Sequence, residues 1–178
     1  MTVQPQPAPE IADTRFLRRA LGAFATGVTV VTIGGESPHA MTANAFSSVS
    51  LDPPLVLICV DHSAIMHRGL DTARCFGVSV LAEHQEGVAR HFADRRRPLG
   101  TAQFEGVDCV PGRLTGVPMI GGALAGFECE VWRRHDAGDH TIFLGRLLSA
   151  ERSEEDEGLL FFDGGFRRLV PEGSEVAS

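Results

Sequence analysis

A surplus of positive charge is missing from this chain: 16 Lys and Arg stand against 23 Asp and Glu, a formal net charge of -7. A surface built to neutralise phosphodiester backbones clusters Lys and Arg, so no nucleic-acid partner is expected. Long apolar runs are missing too. Leu55 to Val60 and the Gly-interrupted stretch Gly116 to Phe127 stop short of the roughly 20 residues a spanning helix requires, so no membrane partner is expected either. The first dozen residues, MTVQPQPAPEIA, have neither a basic start nor an apolar core, unlike a signal or transit peptide. Cys59, Cys75, Cys109 and Cys129 include no CxxC pair, which removes the usual zinc and dithiol patterns. Cys59 and Cys129 read as core thiols, consistent with a reducing cytoplasm. No GxGxxG follows a strand and no GxSxG surrounds a serine, which argues against a Rossmann site and a hydrolase elbow.

What is present fits one domain, since 178 residues allow one real core and not two comfortable ones. Residues 1–12 and 171–178 are polar and aperiodic and read as mobile tails around a domain at 13–170. DTRFLRRALGAFA has helical spacing with Asp13 or Thr14 as N-cap. TGVTVVTI, LVLICV and CFGVSVL read as β-branched strands. Ser63 to Leu70 reads as a short helix, and Glu83 to Ala93 as another that runs on through Arg95, Arg96 and Arg97 until Pro98 ends it. Residues 98–122 read as an irregular connection with one short strand. FECEVWRRH alternates, with Phe127, Cys129 and Val131 on one face and Glu128, Glu130 and Arg134 on the other. A hairpin turn at Asp136 to Asp139 and a return strand from His140 to Ala150 follow, and LLFF, DGG and FRRLV form a last hairpin. Six or seven strands, few helices and no βαβ alternation point to an antiparallel barrel.

Between two such strands lies HAMTANAFSSVSLDPP, His39 to Pro54, with small and hydroxyl side chains where strands usually carry bulk. Two readings stay open. Thr42, Asn44, Ser47, Ser48 and Ser50 satisfy their own backbone as an edge or loop, or the segment is a bed of backbone donors for a flat polar ligand. His140, just after Ala137, Gly138 and Asp139, belongs at a barrel rim, as a surface histidine or a functional one. His62 and His67, five apart and taken as helical, fall on different faces. Arg95 to Arg97 are either a solvated helix end or a phosphate contact. No metal ligand set can be assembled.

Read together, FATGVTVVT, MTANAFSSVSLDPPLVLICV and AGDHTIFLGRL resemble the flavin reductase family with the FMN-binding split-barrel fold, over roughly residues 14–169. The closest likeness is to the small reductase component of two-component aromatic monooxygenases. The resemblance implies a mainly β, six-stranded antiparallel split barrel of Greek-key type with a few flanking helices. It also implies a cytoplasmic homodimer that passes hydride from NADH (or NADPH) to FMN or FAD and supplies a partner monooxygenase. The flavin contacts it implies are Met41, Thr42, Ala43, Asn44, Ser47, Ser48 and Val49, then Val60, Asp61, Ser63, Ala64 and Met66, with Phe92 and Arg97 nearer the phosphate. The histidine of its GDH motif becomes His140, beside the nicotinamide. A flavin-binding electron carrier on the same barrel is the alternative, because fold alone does not decide activity.

Overall fold

The computed structural model describes residues 9–154 and 157–169. Among them are three α-helices: α1 (Thr14–Gly22), α2 (Ile65–Thr72) and α3 (Glu86–Ala93). The strands are β1 (Thr26–Gly27), β2 (Thr29–Ile33), β3 (His39–Ala43), β4 (Phe46–Leu51), β5 (Pro54–Asp61), β6 (Cys75–Val80), β7 (Cys109–Pro111), β8 (Pro118–Ile120), β9 (Ala125–Ala137), β10 (His140–Arg152), β11 (Leu160–Phe162) and β12 (Gly165–Arg167). No helix among the described residues is long and apolar enough to cross a membrane.

Seven strands make the main sheet in the order β3-β2-β6-β9-β10-β5-β4, and every pairing in it is antiparallel. Its two end strands, β3 and β4, are consecutive in the chain, joined only through Asn44 and Ala45. A link that short spans about 10 Å at most, so the sheet curls until its ends nearly meet. The fold is thus the mainly β split barrel that the sequence led one to expect. The extra strand arises because the His39–Pro54 run is itself two strands rather than a segment laid between two. The steps from β2 to β6 and from β10 to β5 are over-and-back connections, not a simple meander.

β2 is buried along its whole length, and its alternation feeds two cores. Val31 and Ile33 join Ile58, Phe76 and Phe143 in one, closed by Met66 and Leu70 of α2. Val30 joins Leu81 and Leu159 in the other, closed by Ala89 and Phe92 of α3. The i, i+4 pair on α2 and the i, i+3 pair on α3 thus hold the two helices to opposite faces of one strand. Helix α1 begins as expected: the Asp13 carboxylate accepts from the amides of Arg15 at 2.9 Å and Phe16 at 3.4 Å.

Several expectations need correcting. The tail expected over residues 1–12 includes a 3-10 turn at Pro9–Ala12; residues 1–8 and the tail at 171–178 lie outside the described residues. Helix α3 stops at Ala93 instead of running to Pro98, because Asp94 turns extended. Its carboxylate takes the Arg96 amide at 2.9 Å and the Arg96 guanidinium at 3.0 and 3.1 Å, a local bond that competes with the next helical turn. The connection over 98–122 contains a 3-10 turn and two paired strands, β7 and β8, not one. Glu128, assigned to the outer face, is only 3% exposed. It caps the β7–β8 turn, accepting from the Thr115 amide at 2.7 Å, the Thr115 hydroxyl at 2.6 Å and the Ser149 hydroxyl at 2.9 Å. Burial pushes this carboxyl up, but those hydrogen bonds win and hold it below the usual carboxylate range.

Candidate functional site

Where β3, the turn into α2 and the end of α3 come together they leave a cleft of about 410 Å³. β3 presents Met41 and Thr42 to it, the β5–α2 turn presents Ser63 and Ala64, and Phe92 and Arg97 close it from α3 and beyond. The early end of α3 makes this possible, since a continued helix would have carried the three arginines away on its axis. Thr42 fixes the wall: its hydroxyl donates to the Ala89 carbonyl at 2.7 Å, tying β3 to α3. Helix α2 starts from Ala64 without a side-chain cap, so first-turn amides open beside the cleft-lining Ser63, Ala64 and Ile65.

The sequence had not singled out His39, Ile65, Ala93 and Leu99, which also line this cleft. His39 is buried, and desolvation, with the Arg97 charge second, pulls its pKa down to about 4. It is therefore neutral near pH 7. Its burial had no signal in the sequence: only the structure shows that His39 opens β3 at 6% exposure beside the fully buried Ala40.

The three arginines divide their work. Arg96 is paired with Asp94. Arg97 donates to the carbonyls of Asp94 and Ala40, so it props β3 against the loop, and its buried Nε has no partner. Arg95 also lines the cleft, is exposed, and among the described residues is tied to its surroundings through the field it exerts on Asp61. An anionic ligand would meet Arg95 first, where the sequence had favoured Arg97.

The remaining expected residues surround this cavity unevenly. Ala43 and Asn44 line an adjoining apolar pocket of about 190 Å³ that shares Thr42 and Ala93 with the cleft and is backed by Phe161 and Phe166. Ser47, Ser48 and Val49 lie exposed on the edge strand β4 and line neither cavity. The Ser47 hydroxyl donates to the Ser48 carbonyl at 3.1 Å, so the self-satisfied reading holds for that side chain. Val49 is the unpaired residue of a bulge between Ser48 and Ser50. Val60 and Met66 are buried in the core and line neither cavity. Asp61 bonds Ser63, which lowers its pKa, and the charges of His140 and Arg95 lower it further.

His140 opens β10 directly opposite Asp61 of β5 and Ala137 of β9. The hairpin turn is two residues, Gly138 and Asp139, and Gly138 takes a positive φ of 72° that a side chain would resist. The His140 Nδ1 lies 2.6 Å from the Asp139 carboxylate, which assigns the proton to Nδ1 and leaves Nε2 as acceptor in the neutral ring. The ring stands at the rim, on the strand paired with the one that leads into Ser63. His62 and His67 contradict their expected separation. His62 precedes α2, which starts at Ile65, and the two rings meet edge to face with centroids 5.0 Å apart.

A second cavity, about 480 Å³, lies over the Gly121–Gly126 segment and includes Glu128. Both oxygens of that carboxylate are taken up by the β7–β8 turn and Ser149, so it offers no free acid. Both volumes are in the usual range of ~300–1,000 Å³ for small-ligand pockets, and the β3–α3 cleft combines the exposed Arg95 guanidinium and the first-turn amides of α2 with an apolar annex. Those groups fit a planar ligand bearing a phosphate.

The flavin reductase like domain family matches residues 21–170. The solved NADH:FAD oxidoreductase SgcE6 of Streptomyces globisporus, in complex with NAD and FAD fragments, is 52% identical, with a TM-score of 0.86 over 91% of this chain and 96% of that one. BorF, the flavin reductase component of a bacterial two-component tryptophan halogenase, is 55% identical, with a TM-score of 0.85 over 88% of this chain and 98% of its own. The 4-hydroxyphenylacetate 3-monooxygenase reductase component of Thermus thermophilus is 41% identical across 86% of this chain and 95% of its own.

Proposed function

The chain belongs to the flavin reductase like domain family, and from that membership we propose that it is an NADH-dependent flavin reductase working in the β3–α3 cleft. Nicotinamide C4 gives a hydride to flavin N5, and with one proton from solvent the products are NAD⁺ and reduced flavin. One observation supports this cleft: Met41, Thr42, Ser63, Ala64, Phe92 and Arg97, drawn from three distant parts of the chain, line a single cavity.

The protein's part is alignment. Small residues of β3 let backbone come close to a flat ring, and the uncapped amides of α2 with Arg95 attract phosphate. His140 orients the nicotinamide, so that proximity and ring alignment supply most of the rate. FAD, the flavin of the Streptomyces relative, is the first substrate to test, with FMN beside it. The reduced flavin leaves for a partner monooxygenase; the Thermus relative is itself the reductase component of 4-hydroxyphenylacetate 3-monooxygenase.

We read the working form as a homodimer in the cytoplasm. The edge strand β4 leaves Val49 at 46% and Leu51 at 94% exposure, an apolar edge that a second copy would cover, and the cysteines among the described residues are free thiols. The test of the activity is absorbance at 340 nm. NADH is consumed only when FAD or FMN is added; purified protein that holds flavin and leaves NADH untouched is a carrier instead.

A further inference from the structure

Thr141 follows His140 and is 8% exposed. Its hydroxyl lies 2.8 Å from His67 Nε2 and 3.2 Å from His62 Nε2. Carboxylates stand at the far ends: Asp71 is 3.5 Å from His67 Nδ1, and Asp136 is 3.3 Å from His62 Nε2. Arg134 faces the same corner, its guanidinium 5.9 Å from the Phe143 ring and bonded to the Leu70 carbonyl at 3.0 Å. The Phe143 ring in turn packs edge-on against His67.

Proton accounting fixes the direction of the bonds. A carboxylate only accepts, so the His67 nitrogen facing Asp71 at 3.5 Å is the one that carries a proton, and in the neutral ring Nε2 is then the acceptor. The Thr141 hydroxyl has one proton, and it goes to that Nε2. Its lone pair then accepts from His62 Nε2–H, and the Asp136 carboxylate stands 3.3 Å from the same nitrogen. With both rings neutral, the row His62, Thr141, His67, Asp71 runs in one direction.

We infer that His62 and His67, acting through the Thr141 hydroxyl, are positioning residues that hold the start of β10 and so set where His140 meets the nicotinamide. The inference rests on the proposed role of His140. The anchor is well placed for it. Thr141 pairs with Val60 and Asp136 across the sheet, while His140, one residue before it, pairs with Asp61. Without the hydroxyl, what holds the first residue of β10 among the described residues is backbone pairing and its bond to the neighbouring Asp139 on the same turn.

The experiment replaces Thr141 with Val, which keeps the shape and removes the hydroxyl, with Thr141→Ser as the conservative rescue and His140→Ala as the reference. Thr141→Val is expected to raise the NADH KM about threefold to tenfold, the equivalent of one net hydrogen bond, with the flavin KM unchanged. Thr141→Ser restores the wild-type value. An NADH KM unchanged in Thr141→Val but raised in His140→Ala overturns the inference and leaves the reading of His140 standing. If neither variant moves it, both fall. Imidazole ¹⁵N shifts of the wild-type protein give a readout independent of any variant's folding: neutral His67 protonated on Nδ1 and neutral His62 on Nε2 support the row, and the opposite tautomers overturn it.

Discussion

Side chains that look interchangeable in the sequence do different work in the fold, and the arginines at 95–97 show this most sharply. Arg96 is committed to Asp94 and Arg97 to two carbonyls, which leaves Arg95 to meet a phosphate. Arg95→Gln should raise the KM for FMN about tenfold to a hundredfold, as loss of one charge-assisted hydrogen bond does, and leave that for riboflavin, which has no phosphate, unchanged. Equal losses with both flavins would remove Arg95 from the phosphate. His39 supplies a stability test. Its folded pKa of about 4 lies below the ordinary histidine value of 6.5, so the unfolded chain binds more protons between those two values. Its contribution is complete above pH 6.5 and is lost as pH falls from there towards 4. Thermal midpoints across that window should slope downward with acid, and His39→Gln should flatten the slope; an unaltered slope would contradict the assignment. None of this was readable from residue order, because a run of three arginines says nothing about which one the backbone claims.

Among the elements, the β-branched strands, the Asp13-capped helix and the β9–β10 hairpin were legible, since each follows from local propensity or turn chemistry. The small-residue run was not read as two strands, because Ala, Ser and Thr give no hydrophobic alternation and only pairing with β2 and β5 reveals them. The end of α3 was missed for a similar reason: helical spacing continues past Ala93, and only the Asp94 side chain breaks it. His62 and His67 were separated by assuming a helix that begins two residues later. Strand β10 carries its own test. Gly145 faces the buried Phe76, and a Cβ there would stand 2.4 Å from the ring. Gly145→Ala should therefore cost about 1–3 kcal/mol by overpacking, measured by urea unfolding, whereas Gly87→Ala on α3, where a Cβ meets nothing, should be neutral or stabilising. Equal midpoints for the two variants would deny the close approach of β10 to β6.

For the molecule as a whole, curling the sheet brings β3 round to the turn before α2 and to the end of α3, and the cleft exists only because all three meet. The sequence resemblance identified most of its walls residue by residue, including Met41, Thr42, Ser63 and Ala64. It also drew in Val60 and Met66, whose side chains are in the core, because a motif does not tell an inward residue from an outward one. The account's central claim is that flavin is reduced in this cleft. Ala93, exposed at the end of α3, borders both the cleft and its apolar annex, so Ala93→Trp obstructs both with little disturbance to the core. The decisive measurement is the flavin-dependent rate of NADH oxidation by this variant beside wild type, at matched thermal midpoints. The account predicts that the rate falls at least tenfold and the flavin KM rises; a folded Ala93→Trp protein that reduces flavin at the wild-type rate would contradict it.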